Sequence, residues 1–196
     1  FETSFPPFPI ELYNPDNGQT WEQSSLGGGY GLSTKTAWFN NFDYWPGGDE
    51  DDLRMSINFI QPSSTWLKFD VAYAQYAVNY SDSLEVLIST DCGQNFQSLY
   101  FKGGSDLATS ANINTAFVPT ATEWRTDSID LSSYANTAEI MLAFRNHSGW
   151  GNNIFLDNIN LSASIISGQK QQVKPADLSI YPNPANSEGQ LYFSEK

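Results

Sequence analysis

Leu67-Lys68-Phe69-Asp70-Val71-Ala72-Tyr73 decides the fold class. Large apolar side chains occupy every second position, with Lys68, Asp70 and Ala72 between them. A period of two belongs to a strand with one face in a core, since a helix repeats every 3.6 residues. The same alternation recurs in Leu53, Met55 and Ile57, in Leu84, Val86 and Ile88, in Ile140, Leu142 and Phe144, and in Phe155, Ile159 and Leu161. Turn formers separate these runs: Pro15-Asp16-Asn17-Gly18, Pro46-Gly47-Gly48, Asp91-Cys92-Gly93 and Lys102-Gly103-Gly104. Nothing with helical spacing lies between them, so roughly ten short strands fill residues 1–164. The expected fold is all-β: an antiparallel jelly-roll β-sandwich. Trp21, Trp66 and Trp124 stand within strand patterns and are expected in or near its core.

Composition narrows the function. The 196 residues carry 9 Lys+Arg against 22 Asp+Glu, a net charge of −13, and charged residues make up only 16%. Aromatics reach 15%, enough large apolar surface to offset the entropy of ordering, which excludes disorder. Without a cluster of Lys or Arg, so acidic a chain repels phosphate, and nucleic acid is excluded as a partner. No apolar run approaches the ~18 residues of a membrane span. The single cysteine, Cys92, excludes an internal disulfide and a Cys-rich zinc site. Phe1-Glu2-Thr3-Ser4-Phe5 has neither a basic start nor an apolar stretch of signal-peptide type, and the chain is expected to begin inside a longer protein.

After residue 164 the pattern changes. A polar linker over 165–175 leads to a tail over 176–196, a short β segment expected to open a truncated second domain.

Asp157 is the most informative residue for chemistry. In Ile154-Phe155-Leu156-Asp157-Asn158-Ile159 it shares the parity of Phe155 and Ile159, so its carboxylate needs a partner. Glu2, at the start of the first strand, is placed similarly. First and last strands of jelly rolls often lie side by side, and two carboxylates meeting there require a cation. Oxygen-only ligation at ~2.3–2.6 Å describes calcium. Further candidates lie in Asn40-Asn41-Phe42-Asp43 and Asp49-Glu50-Asp51-Asp52. The alternatives are that Asp157 pairs with Arg145 or accepts backbone amides, and that the acidic run is a solvated loop.

Catalytic constellations are not evident. His147 and Ser148 are adjacent on a strand and point to opposite faces, so they cannot form a nucleophile–base pair. Tyr44, Trp45 and Trp150 stand in loops rich in Gly and Pro, where their rings could stack on sugars, anchor a protein, or simply close the end of the sandwich.

Several stretches resemble a known module. Phe1-Glu2, Trp21-Glu22, Ala37-Trp38-Phe39-Asn40-Asn41, Asp51-Asp52-Leu53, Ser89-Thr90-Asp91-Cys92-Gly93, Ala143-Phe144-Arg145-Asn146 and Ile154-Phe155-Leu156-Asp157-Asn158-Ile159 occur in that order. Together they resemble the MAM-like jelly-roll modules called choice-of-anchor J, relatives of the cleaved adhesin domains of gingipains, over residues 1–164. The resemblance implies a non-catalytic module for adhesion or substrate engagement, with structural calcium held by Glu2, Asn41, Asp51 and Asp157. It also leaves open a carbohydrate-binding module, or an accessory domain of a pappalysin-like zinc metalloprotease lying upstream. The tail Leu178-Ser179-Ile180-Tyr181-Pro182-Asn183-Pro184-Ala185 resembles the start of a type A C-terminal sorting domain of the type IX secretion system. That resemblance implies export across the outer membrane, a secreted or cell-surface location, the type IX machinery as partner through Tyr181, Pro182, Asn183 and Pro184, and a host or cell-surface protein or glycan as ligand.

Overall fold

The alternation read from residues 67–73 becomes the strand β5 (Thr65–Tyr73), whose Leu67, Phe69, Val71 and Tyr73 are completely buried. The structure is a computed structural model. It describes residues 1–43, 50–58, 65–135, 137–163, 178–181 and 190–193.

Residues 1–165 form one compact unit of two five-stranded antiparallel sheets. The first sheet runs in the order β1 (Ile10–Tyr13), β4 (Glu50–Asn58), β9 (Glu139–His147), β6 (Ser83–Ser89) and β7 (Gln97–Gly103). The second runs β2 (Glu22–Ser24), β3 (Thr36–Phe39), β10 (Ile154–Ala163), β5 and β8 (Arg125–Asp130). Neighbours in space are seldom neighbours in sequence, the crossed wiring of a jelly roll, and the expected fold class is what is observed. Residues 166–196 form a separate unit, in which β11 (Leu178–Tyr181) pairs with β12 (Gln190–Phe193).

Between the sheets, Phe69 meets Phe144 edge-to-face at 5.2 Å and Trp21 meets Phe39 at 5.5 Å. Pairs of this geometry add about 0.5–1.5 kcal/mol beyond the area they bury. A second cluster lies on the other side of the β10–β5 sheet, where Ala72, Ala74, Phe117, Trp124 and Phe155 pack together. The segment holding Ile113 and Phe117 thus covers that face, and β10 is buried on both sides from Ile154 to Asp157.

This double burial corrects the parity assigned to β10. Ile154 and Leu156 face the core between the sheets, while Phe155 and Asp157 face the second cluster's side. An irregularity between Asp157 and Asn160, with Asn158 at φ +48°, then resets the parity and brings Ile159 against the main core. Trp66 also departs from expectation: it is 37% exposed on β5, opposite in parity to Leu67.

The acidic run is no solvated loop over its described part. Asp51 and Asp52 are buried in β4, and Asp52 accepts Arg145 Nε at 2.7 Å and Arg54 Nε at 2.8 Å. At the side of the sandwich, edge strands β7 and β8 are joined through Asp127. Its carboxylate accepts Tyr100 Oη at 2.6 Å, Lys102 Nζ at 3.1 Å and Arg125 Nε at 2.9 Å.

Candidate functional site

Two of the expected metal ligands bind the same loop. Asp157 is buried, and its Oδ2 accepts the backbone N–H of Tyr30 at 2.9 Å while Oδ1 accepts that of Asn158 at 2.8 Å. Glu2, exposed, grips the same loop four residues on, accepting Thr34 Oγ1 at 2.6 Å, Thr34 N–H at 2.8 Å and Lys35 N–H at 3.0 Å. The Thr34 hydroxyl, followed by the two amides, holds the Glu2 carboxyl below its ordinary range. Gly29 permits the approach: a Cβ there would lie 2.5 Å from Asp157 Oδ2 and 3.1 Å from the Lys35 carbonyl. Arg145 is engaged with Asp52 and Glu50, so of the two alternatives for Asp157 it is backbone amides that are found.

The other two expected ligands lie elsewhere. Asn41 and Asn146 exchange amide hydrogen bonds at 2.8 and 3.0 Å, and Asn146 is the register partner of Asp51. Asp157 follows the Thr36 end of β3, and Asn41 lies beyond its Phe39 end. At ~3.3 Å per residue that separation is roughly 16 Å. A calcium ion reaches only ~2.3–2.6 Å to each ligand, so one ion cannot hold all four residues. Among the described residues no three His, Cys, Asp or Glu side chains come together to hold a metal. At the 29–35 loop the oxygens of Glu2 and Asp157 are taken up by the N–H and O–H donors of Tyr30, Thr34, Lys35 and Asn158.

Trp150 is the expected ligand contact that the structure describes, and a residue missed in the sequence positions it. Asp82, completely buried, accepts Gly149 N–H at 2.8 Å and Gly151 N–H at 3.2 Å on Oδ1, and Asn152 N–H at 2.6 Å on Oδ2. Its own N–H donates to Tyr73 Oη at 2.9 Å. The turn wraps so closely that a Cβ on Gly149 would fall 2.1 Å from the Ser81 carbonyl, and one on Gly151 2.2 Å from Asp82 Oδ2. Between these glycines Trp150 takes φ +61° and stands 54% exposed. Burial pushes the Asp82 carboxyl up to about 6, with the three amides opposing the rise. In sequence Asp82 reads as the start of the strand that holds Leu84, Val86 and Ile88, and the signal that could have found its role is the glycine on each side of Trp150.

Trp150 opens onto a cleft of about 510 Å³ lined by Asn41, Phe42, Asp43, Tyr76, Tyr80 and Gly151. Phe42 and Tyr76 lie 6.3 Å apart, and Tyr76 meets Tyr80 at 6.0 Å, nearly perpendicular. Tyr44 and Trp45 lie outside the described residues, as do Pro182, Asn183 and Pro184. Tyr181 pairs with Gln190 through β11 and β12. His147 lies on the outer face of the first sheet, its Nε2 2.8 Å from Glu85 Oε2. Among the described residues no helix is long and apolar enough to cross a membrane.

Comparison with solved structures finds similar folds over about four fifths of the chain. The K1 cleaved adhesin domain of Lys-gingipain from Porphyromonas gingivalis W83 is similar with a TM-score of 0.55 and 21% identity, covering 81% of this chain and 92% of that one. The K3 cleaved adhesin domain of the same protein gives 0.56 and 17%, covering 81% and 93%. TmCBM61, a carbohydrate-binding module solved in complex with β-1,4-galactotriose, gives 0.50 and 12%, covering 80% and 90%. At such identities the likeness is one of fold: an adhesin-like β-sandwich. No family model and no curated protein matches the chain.

Proposed function

We propose that this chain is a non-catalytic binding module of a secreted or cell-surface protein, serving adhesion or substrate engagement at the Trp150 end of the sandwich. The observation that carries the reading is the cleft of Phe42, Tyr76, Tyr80 and Trp150, an aromatic surface at one end of a fold shared with adhesin and carbohydrate-binding domains. Aromatic side chains lining a cleft supply the large, rigid contact surfaces on which binding sites are built. Structural calcium belongs to the reading at the 29–35 loop, where Glu2 and Asp157 would hold it with the Lys35 carbonyl. The Leu178–Tyr181 segment and the residues after it would be the start of a type IX sorting domain, which accounts for a free cysteine and no disulfide in an exported protein. A metalloprotease upstream is compatible with this role and not required by it.

The test is direct. Fluorescently labelled full chain is applied to intact bacterial cells, to fixed epithelial cells and to insoluble polysaccharides, beside Trp150→Ala and the control Trp66→Ala. Saturable binding lost only in Trp150→Ala supports the reading. Binding that Trp150→Ala leaves intact, or turnover of any bound material, overturns it.

A further inference from the structure

We propose that the cleft beside Trp150 takes an uncharged oligosaccharide, with Trp150 and Tyr80 as its stacking surfaces. The inference rests on the reading of this end of the sandwich as the binding site and names the class of ligand.

Charge is the first argument. Among the described residues that line the cleft, Asp43 alone carries a formal charge, and none is Lys or Arg. The chain as a whole carries −13. Uronic acids, sialic acids and sulfated glycans would meet a carboxylate and no cation, so acidic sugar chains are disfavoured on electrostatic grounds.

Ring geometry is the second. Trp150 is 54% and Tyr80 44% exposed, and Tyr80 meets Tyr76, which in turn meets Phe42, in a continuous aromatic wall. A pyranose has an apolar face of C–H groups that covers an aromatic ring, and hydroxyls at its perimeter that need polar partners. The exposed carboxylate of Asp43 supplies acceptors at the rim, one oxygen of which already takes Asn40 Nδ2 at 3.2 Å. Asn41 contributes no free amide, since it is buried and committed to Asn146. The cleft's size lies within the roughly 300–1,000 Å³ of small-ligand sites.

Rigidity is the third. Sugar contacts are individually weak, so a platform that must be ordered on binding gives little net affinity. Here the turn bearing Trp150 is fixed in advance by the three amides held on Asp82 and by two positions where only glycine fits.

Isothermal titration of the full chain with hexasaccharides of β-1,4-galactan, β-1,4-xylan and β-1,4-mannan, and with a heparin hexasaccharide, tests the proposal. Saturable binding of at least one neutral chain is expected, weakened at least about tenfold by Trp150→Ala and by Tyr80→Ala, as for loss of an aromatic anchor. Trp66→Ala, which removes an exposed Trp elsewhere, should bind as the parent does. Circular dichroism and melting of each variant separate lost binding from lost folding, and a sugar-induced change in tryptophan fluorescence that the parent and Trp66→Ala show and Trp150→Ala lacks assigns the contact to Trp150. Silence with every neutral sugar, tighter binding of heparin, or wild-type affinity in both Trp150→Ala and Tyr80→Ala would overturn it. If cells still bind through Trp150 while every neutral sugar is silent, the ligand class fails and the binding face survives; if cell binding ignores Trp150, the underlying reading fails first.

Discussion

Asp157 accepts the backbone N–H of Tyr30 at 2.9 Å across 127 residues of sequence, fastening the last strand of the sandwich to a loop near its start. Glu2 holds the same loop at Thr34 and Lys35. Replacing Asp157 by Ala leaves the Tyr30 N–H without its acceptor at a part-buried site, a loss of about 1–2 kcal/mol. Thermal melting of the variant should fall accordingly.

If calcium shares this loop, chelation should act through the same residue. EDTA is expected to lower the melting temperature of the parent chain by several degrees and that of Asp157→Ala hardly at all. A melt insensitive to both EDTA and added calcium would remove the metal from the proposal while leaving the hydrogen-bonded staple in place.

Gly149 and Gly151 should tolerate no side chain. Each Cβ would meet fixed oxygen, of the Ser81 carbonyl in one case and the Asp82 carboxylate in the other. Gly149→Ala is expected to cost about 1–3 kcal/mol by overpacking, and Gly151→Ala to disturb Trp150 as well, visible as a change in tryptophan emission that is absent when the same substitution is made in Trp150→Ala. Denaturant melts beside fluorescence spectra distinguish the two.

Asp82 sets a pH dependence of uncommon sign. Its folded-state carboxyl titrates near 6, above the ordinary 3.8, because burial disfavours the charged form. The folded chain therefore holds this proton more tightly than the unfolded chain, and the contribution is complete below about pH 4. It is lost as pH rises through about 6 and amounts to something on the order of 3 kcal/mol. Glu2, Asp91, Glu123, Asp127 and Asp130 have lowered carboxyls and act oppositely, losing their contribution as pH falls below about 4. Stability should thus peak near pH 4–5 and decline towards neutrality. In Asp82→Asn the decline between pH 4 and 6 should vanish; urea melts at half-unit intervals would show it.

Phe117 tests the covering layer. It is buried against Phe155, with ring centroids 6.1 Å apart, in the cluster on the far side of the β10–β5 sheet. If that cluster folds as one with the main core, Phe117→Ala should cost about 3–5 kcal/mol in a single transition. A second, earlier transition would mean that the layer opens independently.

How far the sequence could be read depended on how many faces of a strand are buried. In β5 the inner face is marked by Leu67, Phe69, Val71 and Tyr73 and the alternation is plain. In β10 both faces are covered, so Ile154, Phe155 and Leu156 form an unbroken apolar run that carries no parity. The irregularity at Asp157 then defeats any count carried through it. Glu2 and Asp157 were expected to meet where the first strand lies beside the last; instead Glu2 precedes β1, β1 pairs with β4 in the other sheet, and the two carboxylates have only the 29–35 loop in common. Asn41 and Asp51 were not separable from them, since sequence does not show that β3 lies between. Asp82 was invisible for a related reason: its partners are backbone amides 67–70 residues away, and amides leave no mark on side-chain pattern.

The position of β10 has a mechanical meaning. It begins just after the Trp150 turn and runs ten residues to Ala163, where the chain leaves the sandwich for its C-terminal segment. A ligand gripped at Trp150 and a tether beyond Ala163 would pull on opposite ends of one strand, roughly 30 Å long. That strand is bonded to β3 along its first part and to β5 along both parts, so the load runs parallel to the strand and across many hydrogen bonds together. Traction applied this way shears the sheet instead of unzipping it bond by bond.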